Sequence, residues 1–159
     1  MDMAVANTKA SSSFVPPAAP ARIGTRIGKI LGLKSLETPS LMQAVAKGLS
    51  WNAVRRFLDI TGLTQQELAK YLDIPERTLA RRRETGTFDR RESEQLVRLA
   101  EIYEAAYELF DGDAEATRRW LTSPVRGLNN DRPIDFAQSE FGAREVRDLI
   151  GRLADGVFS

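Results

Sequence analysis

The residues best equipped for chemistry in this sequence are arginines. Arg77, Arg81 and Arg82 stand with Thr78 inside the run ERTLARRRE, residues 76–84. A guanidinium is a planar fork of donors that fits a guanine edge or a phosphate at two points, so a row of them on one helix face points to nucleic acid. Thr64 and Gln65, earlier in the chain, are placed to meet backbone phosphates from the start of a helix. Arg83, Arg90 and Arg91 are weaker phosphate candidates. The local balance from Glu76 to Arg91 is +3, although the whole chain of 159 residues carries only +1. Other chemistry is bounded by composition. The chain has no Cys and no His, which removes the usual zinc ligands, thiolate nucleophiles and Ser–His or Cys–His pairs. There is no glycine-rich phosphate loop and no carboxylate pair with catalytic spacing. The reading is a binding protein and not an enzyme, with no cofactor and no metal.

Those arginines must be held by two short helices broken at Asp73-Ile74-Pro75. Thr64-Gln65-Gln66-Glu67 fits a capping box. Leu68, Ala69 and Leu72 then share one face at helical spacing. Pro75 lacks an amide hydrogen and its fixed φ suits a helix start, so the chain restarts there. Leu79 turns inward, and Arg77, Thr78, Arg81 and Arg82 turn largely outward. This is the pattern of a helix-turn-helix, whose second helix lies in the major groove. It resembles the phage-repressor pattern in the order Gln65, Ala69, Leu79. Asp73 stands where glycine is common and Arg82 where a third apolar residue is common, so the second helix must draw anchorage from its neighbours. The competing reading of this stretch is an ordinary helical hairpin with a solvated basic face.

The remaining chain reads as all-α. Residues 1–37 are expected to be a disordered or weakly ordered tail: Met1 to Pro20 is small, polar and Pro/Ala-rich. Arg22 to Lys34 reads as a flexible basic arm, with a marginal helix as the alternative. Residues 38–88 form the DNA-binding region. Leu41, Val45 and Leu49 mark a short helix, and Ser50 caps another that carries Val54, Phe57 and Leu58 inward until Gly62. Phe88 plugs the core. Residues 89–159 form a second, small helical half. It opens with a long helix capped by Asp89 or Thr87, striped by Leu96, Leu99, Ala100, Tyr103, Ala106, Tyr107 and Phe110. Asp113 caps the next helix. After a turn-rich loop, Gly142 precedes a last helix, Ala143 to Ala154, with Val146, Leu149, Ile150 and Leu153 inward. From Glu101 to Glu115 there are six acidic residues and no basic one, a balance of −6; most such runs are solvated helix surface. No stretch is long and apolar enough to span a membrane, and the start lacks a secretory pattern, so a cytoplasmic protein is expected.

The second half resembles a known family. Arg119-Trp120-Leu121 before Pro124, Gly127-Leu128, and Arg132-Pro133 followed by Asp135-Phe136 are similar to the C-terminal toxin-binding domain of Xre/MbcA/ParS-like antitoxins. So are Gly142-Ala143-Arg144-Glu145-Val146, Leu149-Ile150-Gly151-Arg152 and the terminal Gly156-Val157-Phe158. Ile74-Pro75-Glu76-Arg77-Thr78-Leu79 resembles the turn of the same family's helix-turn-helix. The likeness spans about residues 45 to 159 and departs from the family at Gly127-Leu128-Asn129-Asn130. It implies an antitoxin whose partner is a RES-domain, NAD⁺-degrading toxin. It also implies a homodimer whose helix-turn-helix binds the operator of its own promoter. Arg144, Arg147 and Arg152 are then candidates for pairing with acidic toxin residues. Val157, Phe158 and Ser159 are candidates for entering the toxin's pocket. A stand-alone DNA-binding regulator without a toxin partner is the alternative.

Overall fold

The computed structural model describes residues 23–33 and 38–156. Their regular structure is helical. In chain order the helices are α1 (Ile23–Ile30), α2 (Thr38–Lys47), α3 (Trp51–Thr61), α4 (Gln65–Leu72), α5 (Glu76–Thr85) and α6 (Arg90–Leu109). Then follow α7 (Ala114–Leu121), α8 (Pro133–Phe136) and α9 (Glu140–Ala154).

Local chemistry decides where they begin and end. The Ser50 hydroxyl accepts from the Ala53 amide at 3.2 Å to start α3. Gly62, at φ 70°, closes it. Helix α4 opens with the full capping box: Thr64 Oγ1 accepts from Glu67 N at 3.1 Å, and Thr64 N donates to Glu67 Oε2 at 2.8 Å. Asp73 then turns the chain at φ 53°, ψ 47°. An aspartate thus fills the left-handed position more often given to glycine. Helix α6 carries a second capping box, in which Asp89 Oδ1 accepts from Glu92 N at 2.8 Å and Glu92 Oε2 from Asp89 N at 2.9 Å. Asp113 caps α7, accepting from Ala116 N at 2.9 Å.

Helix α6 is the axis of the molecule. Its 20 residues extend about 30 Å, and α1, α2, α3, α4, α7 and α9 all pack on it. Phe57, Leu68, Leu72 and Leu79 from the first half meet Leu96, Leu99, Ala100 and Tyr103 of α6. Ile134, Val146 and Ile150 from the second half join the same apolar cluster. Residues 38–88 and 89–156 therefore share one core. Direct ties between them add to this. Tyr71 donates from α4 to the Gln95 carbonyl of α6 at 3.0 Å, and Gln138 Nε2 donates to the Lys70 carbonyl at 3.0 Å.

The linkers are held by backbone hydrogen bonds of their own. Trp51 N donates to Gly86 O at 2.8 Å and Phe88 N to Leu49 O at 2.9 Å, which clips the start of α3 to the segment leaving α5. This crossing explains Gly48: at φ 95°, a Cβ there would lie 2.1 Å from the Phe88 carbonyl oxygen. Phe88 itself is buried, as expected of a plug.

Three expectations are corrected. Residues 23–33 are not an arm: α1 is part of the fold, with Ile27 and Leu31 fully buried. The four-residue spacing of Ile27 and Leu31 gives it an apolar edge, which α6 covers. Residues 1–22 and 34–37 lie outside the described residues. Helix α9 starts at Glu140 instead of Ala143, because Ser139 caps it by accepting from Gly142 N at 3.0 Å. Tyr107 is not core; it is 39% exposed and stacks on buried Tyr103 at 5.9 Å.

Candidate functional site

Helix α5 is the most polar element of the fold, with Leu79 its one buried side chain. Arg77 and Arg81 are exposed on it and Thr78 is half-buried. Neither arginine enters an ion pair among the described residues. Gln65 is exposed at the first position of α4. These four side chains are free to meet a ligand.

Two of the residues expected there have other work. Arg82 does not face outward. Its Nε donates to Glu92 Oε2 at 2.9 Å and its Nη2 to Glu92 Oε1 at 3.0 Å, a two-point pair with a carboxylate whose side chain is only 5% exposed. Asp89 adds a contact at 3.4 Å. The hydrogen bonds that Arg82 donates to Glu92 push its pKa up, against the opposing effect of burial. Arg82 is thus the anchor that replaces a third apolar residue, and it fastens α5 to the start of α6. Thr64 spends its hydroxyl on the α4 cap, accepting from Glu67 N and donating to Glu67 Oε2 at 3.2 Å. Among the weaker candidates, Arg90 pairs with Glu94 at 3.0 Å, while Arg83 and Arg91 are exposed.

A second surface lies on α9. Phe141, Arg144, Asp148 and Arg152 fall at helical spacing along its exposed side. Phe141 is 70% exposed, the most exposed large apolar side chain among the described residues. Arg144 and Arg152 make no ion pair among the described residues. Arg147 does not join them: it turns back to Glu101 at 3.2 Å and Glu140 at 3.6 Å, beside an Arg98–Glu140 pair at 2.8 Å. Burial pushes the Glu101 carboxyl up, with Arg147 opposing it. The acidic run is neutralised in part from within: Arg26 bridges Glu104 and Glu108, and Arg119 pairs with Glu115. Val157, Phe158 and Ser159 lie outside the described residues.

Helix α8, which packs on α9, is fixed by charge. Burial pushes the Asp135 carboxyl up, but the hydrogen bonds and charge of Arg132, aided by Lys70, outweigh it and hold Asp135 below the usual carboxylate range. Lys70 reaches Asp135 at 3.4 Å from α4, so α8 is tied to the first half.

Sequence reasoning misses Phe141 because Gly142 reads as a break. The signal is present: Ser139-Glu140 is a helix-start pair. Gly142 is required there by close approach, since a Cβ on it would lie 1.8 Å from the Phe136 carbonyl oxygen.

Known proteins carry both halves in the same order. Residues 40–101 match the antitoxin Xre-like helix-turn-helix domain, and residues 105–156 match the antitoxin Xre/MbcA/ParS C-terminal toxin-binding domain. Antitoxin Xre of Yersinia enterocolitica is 35% identical over 130 residues, covering 81% of this chain and 88% of that protein. Antitoxin Xre of Photorhabdus laumondii is 28% identical over 132 residues, covering 82% and 89%. A chain in the crystal structure of the M. tuberculosis MbcT–MbcA toxin–antitoxin complex shares the fold, with TM-score 0.53 at 24% identity over 76% of this chain and 96% of that one. With a helix-turn-helix whose outward arginines are free, a toxin-binding half on the same core, and relatives matched over most of their length, the chain belongs to the Xre/MbcA/ParS-like antitoxin family and is the antitoxin of a toxin–antitoxin module.

Proposed function

We propose that this antitoxin neutralises a RES-domain toxin that degrades NAD⁺ and, as a homodimer, represses its own promoter through α4 and α5. NAD⁺ is then the toxin's substrate and no cofactor of this chain. The observation that carries the reading is the pairing of two unsatisfied surfaces on one core: the Arg77–Arg81 face of α5 and the Phe141–Arg144–Arg152 face of α9. The first suits base edges in a major groove, where a two-point Arg contact is worth about 1–3 kcal/mol of discrimination. The second has the make-up of a binding hot spot, an aromatic flanked by arginines. Residues 157–159 add Phe158, a further apolar group for the toxin's pocket.

Co-expression with the neighbouring reading frame tests the reading. Co-purification, with cellular NAD⁺ preserved, is expected. Deleting residues 157–159 is expected to keep the complex and release NAD⁺ depletion; depletion still blocked after deletion assigns inhibition to the helices. Phe141→Ala is expected to weaken the complex by about 2 kcal/mol or more with the unfolding midpoint unchanged, read by calorimetry on the purified pair. Absence of any co-purifying toxin leaves a stand-alone DNA-binding regulator.

A further inference from the structure

Of the seven arginines whose guanidinium is committed to an ion pair among the described residues, Arg82 lies on α5, the recognition helix of the helix-turn-helix, and Arg90 opens α6. Arg55 and Arg83 do not belong to that set. They come from different helices, α3 and α5, and line one cleft of about 430 Å³ together with Gln65 at the start of α4. Both are exposed. Asp59, one turn after Arg55, is also at the cleft and makes no ion pair with either among the described residues. Two guanidinium groups against one carboxylate leave the cleft with a net positive charge, and such a cleft is stabilised by an anion bound in it. Its walls are tied to the core: Trp51 stacks on Phe88 at 6.0 Å, and Arg82 fastens α5 to α6.

The direction of the side chains separates this cleft from the base-reading face. Arg83 follows Arg81 by two residues, so the two leave α5 on different sides. Arg77 and Arg81 face one way, and Arg83 faces α3. A helix seated in a major groove is flanked by the phosphodiester strands, so a cationic cleft beside it meets phosphate and not base.

We propose that Arg55, Gln65 and Arg83 form a clamp for a backbone phosphate of duplex DNA, a site that sets register on the duplex without reading sequence. It deepens the DNA-binding half of the function proposed above and rests on it. Arg55 is the part the sequence concealed, because it sits on the supporting helix, outside the helix-turn-helix stretch.

The test is fluorescence anisotropy of the full chain on two labelled duplexes of equal length, one from its own promoter and one unrelated, across a salt series. Arg55→Gln and Arg83→Gln are each expected to weaken binding to both duplexes by a similar factor. Each is also expected to lower the slope of log K against log salt by about 0.9, the value for one phosphate contact. In practice the variant loses roughly 3-fold less affinity than wild type between 50 and 200 mM salt. The Lys variants, which restore a point charge, are expected to recover most of the slope. Arg81→Ala serves as the contrast, losing the promoter duplex selectively. An unchanged slope in both Gln variants, while Arg81→Ala still loses the promoter, overturns the clamp and leaves the DNA reading intact. A loss confined to one duplex makes the residue a base reader and also overturns it. Wild type that binds neither duplex overturns both. Unaltered thermal unfolding and co-purification with the toxin establish that the variants are folded.

Discussion

Neighbouring arginines on one helix do opposite jobs, and free energy separates them. Arg81 projects into solvent, so Arg81→Ala is expected to leave stability unchanged and to cost about 1–3 kcal/mol of binding at the specific site. Arg82→Ala strands the buried Glu92 carboxylate. Breaking a fully buried pair costs roughly 3–5 kcal/mol. Because the Arg82 side chain is 21% exposed, about 2–3 kcal/mol is expected here, read by urea unfolding. Equal stability of the two variants would return Arg82 to the DNA face. Tyr71 gives the residue scale a pH signature. Burial pushes its phenol up to about 12, with Arg98 opposing. The unfolded phenol ionises from about 10, so above that pH the unfolded chain binds fewer protons than the folded one and stability falls. A shift of that size amounts to roughly 2–3 kcal/mol by pH 12. Tyr71→Phe is expected to flatten that part of the alkaline stability profile, at the expense of the hydrogen bond to Gln95. An unaltered slope between pH 10 and 12 would refute it.

At the scale of elements, the two glycines of α9 separate packing from propensity. Gly151 is exposed, and a Cβ added there would meet nothing within 4 Å. Gly151→Ala is therefore expected to stabilise the chain by up to about 1 kcal/mol through helix propensity alone. Gly142→Ala cannot be accommodated without moving α8 away from α9, since its Cβ would overlap the Phe136 carbonyl. It is expected to lower the unfolding midpoint and weaken the toxin complex together. The pair of measurements is informative because both changes add one methyl to the same helix. Helix α1 shows the same dependence on surroundings. Its sequence is glycine-rich and basic, and isolated helices of this length are marginal in water. The cover supplied by α6 over Ile27 and Leu31 is what makes it a helix.

At the scale of the whole molecule, α6 gives the DNA-binding and toxin-binding halves one shared core, from which a single cooperative unfolding step is expected. Each half carries one tryptophan: Trp51 stacks on Phe88, and Trp120 tilts against Phe110 at 6.2 Å. Fluorescence of Trp51→Phe reports the second half and that of Trp120→Phe the first. Each variant is expected to show one midpoint by fluorescence and by circular dichroism, as two-state unfolding requires. Probes that separate within one variant would mean that the halves fold independently. Cooperativity also bears on function, because Glu92 holds the recognition helix at one end of α6 while Glu101 holds α9 through Arg147 further along it.

The sequence by itself determined what depends on near neighbours. The caps at Ser50, Thr64, Asp89 and Asp113, the restart after Pro75 and the buried stripes of α3, α4 and, as far as Ala106, α6 are all set within a few residues, and all were legible. So were the two-part family pattern and the exclusion of histidine or cysteine chemistry, which composition alone decides. The tertiary structure decided the rest, for one reason: a charged side chain takes its role from the partner that folding brings to it. Glu92 turned Arg82 from a reader into an anchor, and Glu101 drew Arg147 out of the α9 face. The absence of such a partner among the described residues left Arg55, Arg83, Arg144 and Arg152 outward and available. Those partners come from other helices, and no spacing within one helix records them.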